Sequence, residues 1–411
     1  MSEVVAARNW LRTFQSLRHR NFRLLWLAQV ASSSGMWMEI IARNLLVYEM
    51  TGSSTALALL NLFRALPQLL FTLGGGILAD RIDRKKIVIV CFGLNALLTL
   101  LLALLILTDQ IELWHIYVTG ALMGAVGAMQ QPAGQGILPN TVPEEDLLNA
   151  ISLNSGAMSV TRMYGPPLAS LVILWLGYGG AYLVKVIIFF IPMVLYGMIW
   201  LPPQERIATT ETPIQNIKSG AGYVWHNPEV RLLLIVGLLP LFFGMPWFSL
   251  LPALATEKFG ENATVYYGFL YSGVGLGATA ILLTLATLGD FRGKGKVLLV
   301  GAFVFGLAIM ALSASNSLAT GFASMVGVGI GMNGFWALTS TLLQKNIEDD
   351  YRGRVMAIFG LDWTLTSAAA VVAGIIADSI GTSITFAIMA SGCLIVSAVT
   401  WVMAPSVRRM D

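Results

Sequence analysis

Residues 74–86 read GGGILADRIDRKK, which places six charges in the seven positions from Asp80 to Lys86 directly after three glycines and an apolar run. The chain as a whole is only 11% charged and 56% apolar over 411 residues, against roughly 25% charged in an ordinary soluble domain. So dense a cluster between two apolar runs reads as a loop at a membrane surface, and the runs as the helices it joins. Working outward, apolar stretches near ~20 residues recur, each long enough to cross ~30 Å of hydrocarbon. There are twelve. They cover 24–48, 57–78, 87–107, 114–138, 151–176 and 181–201, then 232–254, 267–288, 297–312, 318–343, 355–376 and 384–403. The reading is an all-α integral membrane protein with units 1–201 and 232–411 joined by a polar linker, 202–231.

The cations give the orientation. With both termini on one side, the segments on that side hold twenty of the 25 Lys and Arg, and the opposite loops hold one, Lys258. Because Lys and Arg are retained in the cytoplasm, both termini are expected there, in a plasma or bacterial inner membrane. The net charge of +3 then reflects topology and gives no ground for nucleic-acid binding. The two cysteines, Cys91 and Cys393, lie in spans and offer neither a disulfide framework nor metal-ligand spacing. Trp10, Leu11, Phe14 and Leu17, at helical spacing, predict a short interfacial helix before the first span.

The halves echo each other. LADRIDRKKIVIV (78–90) aligns without gaps on LGDFRGKGKVLLV (288–300), and the acidic loop Glu144–Asp146 has its counterpart in Glu348–Asp350. Two six-helix repeats in the same orientation follow, and repeats of this kind place a substrate path between the halves near the bilayer midplane. In the opening stretch, Gly74 to Gly76 predict a tight approach and turn, while Asp80 sits at the rim where it can meet helix N-termini or arginines of the other half.

At these residues the chain resembles the major facilitator superfamily, whose second loop carries Gly-x-x-x-Asp-Arg-x-Gly-Arg-Arg. Here the positions are Gly76, Asp80, Arg81, Asp83 in place of glycine, Arg84 and Lys85. GMWMEIIARNLLVYEMTGSS (35–54), NAISLNSGAMSVTRMYGPP (149–167), YYGFLYSGVGLGA (266–278) and LLQKNIEDDYRGRVMAIFG (342–360) are similar to the enterobactin and macrolide exporter branch. The resemblance implies a twelve-helix secondary exporter working by alternating access, with a gate formed by Gly76, Asp80, Arg81, Arg84, Asp290, Arg352, Gly353 and Arg354. Gly156, Gly165 and Pro166 partly match a proton-antiporter motif, with Ser170 where a glycine is expected, and imply protons as a coupling partner.

Ionisable groups inside spans are costly and mark function by default. Glu39 lies sixteen residues past Arg23, Arg64 sixteen before Asp80, Arg162 sixteen past Asp146 and Lys185 seventeen before Pro202. At ~1.5 Å per residue all four fall roughly 24 to 26 Å from the inner edge, which predicts one polar layer. Glu39 and Arg43, four apart, share a helix face. Glu39 is the first candidate proton carrier and Asp362, in the eleventh span, the second. The surplus of cations at Arg43, Arg64, Arg162 and Lys185 predicts a cavity for acidic or oxygen-rich amphipathic molecules, with Trp37, Tyr164, Trp247, Phe335, Trp336 and Trp363 as candidate stacking surfaces.

No phosphate loop of the GxxxxGK type is present, and His19, His115 and His226 lack metal-ligand spacing, so neither an enzyme, a cofactor nor a metal site is expected. The remaining alternatives to a proton-coupled monomeric exporter are a passive or lipid-moving facilitator and a non-transporting sensor or scaffold.

Overall fold

The computed structural model describes residues 14–79, 83–200 and 213–411. Every regular element among them is helical. The first half comprises α1 (Arg20–Thr51), α2 (Ser54–Ala79), α3 (Arg84–Leu107) and α4 (Leu113–Ile137), then a stretch from Leu147 to Met198 that Gly177 breaks, at φ 65° and ψ −178°, into α5 (147–176) and α6 (178–198). A linker helix, Pro213–His226, leads to the second half. There α7 runs in two pieces (Pro228–Gly244 and Trp247–Phe259), followed by α8 (Ala263–Leu288), α9 (Lys294–Ala314) and α10 (Leu318–Asn346). The eleventh span, α11, is also broken (Asp349–Phe359 and Asp362–Ile380), and α12 is Thr382–Met403.

Twelve crossings result, as the apolar runs imply. Two of them, α1 and α4, are less apolar than the others, because α1 carries Ser32–Ser34, Glu39 and Arg43 and α4 ends in QQPAGQG.

The two sets of six pack alike. In the first, α2 lies on α4, α3 on α4, and α1 and α3 on the α5–α6 pair. In the second, α8 lies on α10, α9 on α10, and α7 and α9 on α12. Between the sets the principal contacts are α5 with α8 and α2 with α11, pairs that a parallel repeat makes equivalent.

Several sequence expectations are corrected at the loops. α2 continues helically through Gly74–Gly76 to Ala79, so the glycines belong to the helix and the turn comes later. Asp80 and Arg81, on which the gate expectation centres, lie outside the described residues, as do residues 10–13 of the interfacial helix. What is described of the latter is one 3-10 turn, Gln15–Arg18, whose Ser16 hydroxyl donates to Asn149 Oδ1 at 2.7 Å. Asp83, standing where the family has glycine, caps α3: its carboxylate accepts from the Lys85 and Lys86 backbone N–H groups at 2.8 and 3.4 Å, satisfying donors that a helix start leaves unpaired.

On the face opposite the termini, here the distal face, the halves meet closely. A Cβ on Gly268 of α8 would stand 2.6 Å from the Pro166 carbonyl oxygen of α5, and one on Gly374 of α11 would stand 2.8 Å from the Ser54 carbonyl oxygen of α2. Small residues at these crossings let the backbones touch. Asp378, near the distal end of α11, completes the contact by accepting from Ser53 Oγ (2.7 Å) and the Ser54 and Thr55 backbone N–H groups (2.6 and 3.1 Å). The distal face is closed.

Candidate functional site

Glu39 lies in the distal half of α1, 5% exposed at its side chain, and both of its oxygens accept from cations. Arg43, one turn on, donates to Oε1 at 3.0 Å; Arg64 of α2 donates to the same oxygen at 3.2 Å; Lys185 of α6 donates to Oε2 at 2.8 Å. Lys185 is 1% exposed and Arg64 25%. Two glycines of α4 bring α2 and α1 into range: a Cβ on Gly124 would stand 2.2 Å from the Arg64 carbonyl oxygen, and Gly120 faces the Arg43 guanidinium. The sequence thus builds the cluster by removing side chains opposite as well as by supplying charges.

One carboxylate among three cations leaves a surplus of two positive charges. All three partners are donors, so the geometry suits the carboxylate anion. Burying such a set is offset only while every charge keeps its partner; removing one leaves an uncompensated charge in a medium of low polarity. Beside the cluster, Asn44 donates to the Tyr267 hydroxyl of α8 at 3.2 Å. The charge set therefore abuts the contact between halves.

The expected polar layer is only partly assembled. Glu39, Arg43, Arg64 and Lys185 come together, but Arg162 stands apart on α5, because its helix turns it toward the second half. Its Nη1 reaches Asn333 Oδ1 of α10 at 3.4 Å, and its guanidinium carbon lies 5.7 Å from the Trp37 ring centroid. Among the described residues Arg162 has no carboxylate partner, and its Nε, like the Trp37 and Trp247 Nε1 atoms, is buried with no acceptor. Gly165 makes room for Trp37, since a Cβ there would lie 2.8 Å from the Trp37 Cβ, while Gly156 faces open space. Trp37, Tyr271 and Trp247 form a ring series across the halves, with centroids 5.3 and 5.5 Å apart.

Asp362 is not deep in a continuous helix, as the apolar run suggested, but opens the second piece of α11 after a break at Gly360 and Leu361. Its Oδ1 accepts from the Trp363 backbone N–H at 2.6 Å and its Oδ2 from Trp336 Nε1 at 3.3 Å. No Lys or Arg among the described residues pairs with it.

The described residues of the expected gate bond to neighbours outside the opposite helix set. Arg84 donates to the Gly136 carbonyl at 3.2 Å. Asp290 accepts from Lys294 at 2.6 Å, and that hydrogen bond holds its carboxyl below the ordinary aspartate range. Arg352 pairs with Asp349 on the same helix, a Cβ on Gly353 would meet open space, and Arg354 donates to Ser219 of the linker helix at 2.9 Å. Lys85, the last position of the family motif, donates to the Gly197 and Ile199 carbonyls at the end of α6. The cap formed by Asp378 escaped the sequence reading, because nothing in a lone aspartate near a span end says which helix it meets.

Comparison with known proteins agrees with this architecture. The sequence profile of the family described as "Transmembrane secretion effector" matches residues 11–411. The chain is 24% identical over 371 residues to a staphyloferrin A transporter of Staphylococcus aureus, covering 89% of this chain and 91% of that one. It is 24% identical over 401 residues to macrolide efflux protein A of Streptococcus pyogenes, covering 95% and 97%. The crystal structure of the nucleoside transporter NupG (D323A mutant) superposes with a TM-score of 0.79 at 11% identity, covering 93% of this chain and 99% of that one, which speaks to the fold alone.

Proposed function

The chain belongs to the transmembrane secretion effector family of the major facilitator type and is a membrane transporter, and from that premise we propose that it exports small amphipathic molecules bearing acidic oxygens, coupled to proton entry. The termini and the linker are cytoplasmic on this reading, as the cation distribution implies, so the closed distal face is the outer one and the conformation is inward-facing. Export proceeds by rocking of 1–201 against 232–411 about the cavity between them, with the monomer as the working unit. The export direction and the substrate breadth follow relatives named for a siderophore and for macrolides.

The observation that carries the reading is the Glu39 carboxylate held by Arg43, Arg64 and Lys185. A proton arriving from outside converts this acceptor into a group that no longer matches three donors. The cluster then loosens beside the Asn44–Tyr267 contact, and the outer seal opens. Arg162, uncompensated and stacked near Trp37, supplies the charge that draws an acidic, ring-bearing substrate to the cavity. Return of the proton to the cytoplasmic side restores the closed cluster.

The test uses everted vesicles with a pH-sensitive dye, energised and then challenged with polycarboxylate siderophores, macrolides and lipophilic cations. Release of protons triggered by an acidic substrate in the wild type, and lost in Glu39→Gln, is the expected result. Release that survives the substitution transfers the role to Asp362, and a substrate that moves without any proton release makes the protein a passive facilitator.

A further inference from the structure

Two cations far from the Glu39 cluster, on the side of the termini, are seated in the same way. Arg231, at the start of α7, donates from Nη1 to the Trp225 carbonyl at 3.1 Å, and its guanidinium carbon stands 5.6 Å from the centroid of that indole. Arg408, just past the end of α12, donates from Nη1 to the Trp401 carbonyl at 3.4 Å, with its guanidinium carbon 5.7 Å from the indole centroid. The two pairs share one corner. The start of α7 packs on α12 and on residues 405–408, and Val230 and Val407, the neighbours of the two arginines, are buried in one apolar cluster.

A guanidinium has five N–H groups, and the carbonyl takes only part of that capacity. Among the described residues no carboxylate pairs with Arg231 or Arg408. Of the acids nearest in sequence, Glu229 forms no ion pair among those residues, and Asp411 accepts from the Gly293 N–H of the α8–α9 loop. Held by a carbonyl and a ring face, each fork has less freedom to lose when it meets an oxyanion. The indoles identify the surroundings. Trp225 is 71% exposed, and Val402 and Met403, which follow Trp401, are 74% and 77% exposed. A bilayer accepts that pattern, indoles at headgroup level and aliphatic side chains below. At the corresponding end of α6, Trp200 is equally exposed, but the neutral Asn21 amide meets its carbonyl and N–H, so the seated cation is particular to the α7–α12 corner.

We infer that this corner binds the headgroup phosphate of an anionic phospholipid, Arg231 and Arg408 closing on its oxygens from either side while the acyl chains lie along Trp401, Val402 and Met403. Planar forks match phosphate oxygens, and the negative surface of a cytoplasmic leaflet supplies the ligand. The inference goes beyond the proposed function: it involves neither cargo nor proton and takes from that reading only the orientation. The bound lipid joins the entry of the second half to its exit.

The experiment uses purified full-length protein, released from detergent into a native mass spectrometer with equimolar dioleoylphosphatidylglycerol and dioleoylphosphatidylcholine. Retention of the anionic lipid is expected to be roughly tenfold greater in the wild type. The double variant Arg231→Lys with Arg408→Lys keeps both charges and removes both forks, and should lower that preference below about threefold with phosphatidylcholine retention unchanged, whereas Lys218→Gln, an exposed cation elsewhere on the linker helix, should not alter it. Equal retention of the two lipids, a preference that survives the double variant, or an equal loss in Lys218→Gln overturns the site, the last by reducing it to diffuse surface charge. Displacement of the lipid by excess glycerol 3-phosphate would make the ligand a soluble phosphate and overturns the lipid assignment. If the double variant does not fold, a photoreactive phosphatidylglycerol decides on the wild type: cross-links are expected within residues 225–231 and 401–409, and cross-links confined to other segments overturn the inference.

Discussion

Glu39 and Asp362 are both carboxylates inside the membrane-spanning body, and they are held in opposite ways. Glu39 is balanced laterally, by three cations reaching in from α1, α2 and α6. Asp362 is balanced axially, by the N–H at the start of its own helix piece and by an indole. Asp83 and Asp378 follow the second pattern, and so does Glu257, which accepts from the Thr382 and Ser383 backbone N–H groups at the start of α12. Lateral balance locks a group into a network in which every member depends on the others. Axial balance uses donors that the helix end leaves unpaired in any case, so the carboxylate stays available to something else.

The contrast breaks most visibly at Glu39. Glu39→Gln strips the counter-charge from three cations, two of them fully buried, and is expected to destabilise the protein by about 3–5 kcal/mol, read as a large fall in the thermal unfolding midpoint in detergent. Combining it with Lys185→Asn is expected to recover part of that loss; a midpoint that stays within a degree or two of wild type in the single variant would show that the cluster carries no such interdependence.

Next in size is the distal seal. Gly268→Leu cannot be accommodated against Pro166 and Ser170, so the closed distal face should become a minor state. A cysteine introduced at Ser54, buried at the closed face, reports it, the native Cys91 and Cys393 being buried; labelling by a membrane-impermeant maleimide should rise at least tenfold, and an unchanged rate would place the seal elsewhere.

A smaller effect separates two axial carboxylates. Asp378 caps across the halves and Glu257 within one, so Asp378→Asn should weaken the seal by about 1 kcal/mol and raise the same labelling rate severalfold, whereas Glu257→Gln should leave it alone. Equal responses would mean that the cap is incidental to closure. Last, Asp362→Asn should shift stability by no more than about 0.5 kcal/mol, and a loss approaching that of Glu39→Gln would abolish the distinction between the two modes.

Much of this was legible beforehand. The apolar runs give the crossings because a lipid environment leaves a chain few alternatives, and the i, i+4 spacing of Glu39 and Arg43 gives their contact because both sit on one helix. Depth counting brought Arg64 and Lys185 to the right level. It could not supply rotation about the helix axis, and Arg162, at the same level, faces the other half. The breaks in α7 and α11 were hidden because their flanks stay apolar, so Asp362 looked like a mid-helix residue.

Gly177 joins α5 to α6 with a single non-helical residue, in a backbone region open essentially to glycine alone. The two helices thus meet at a one-residue joint with few backbone torsions between them. α5 carries Arg162 at the face that meets α8, and α6 carries Lys185 at the heart of the ion cluster. A displacement of α5 against α8 would reach Lys185 through that one joint. Arg162 on one arm is thereby linked to Lys185, a partner of the Glu39 carboxylate, on the other, through a single residue of backbone.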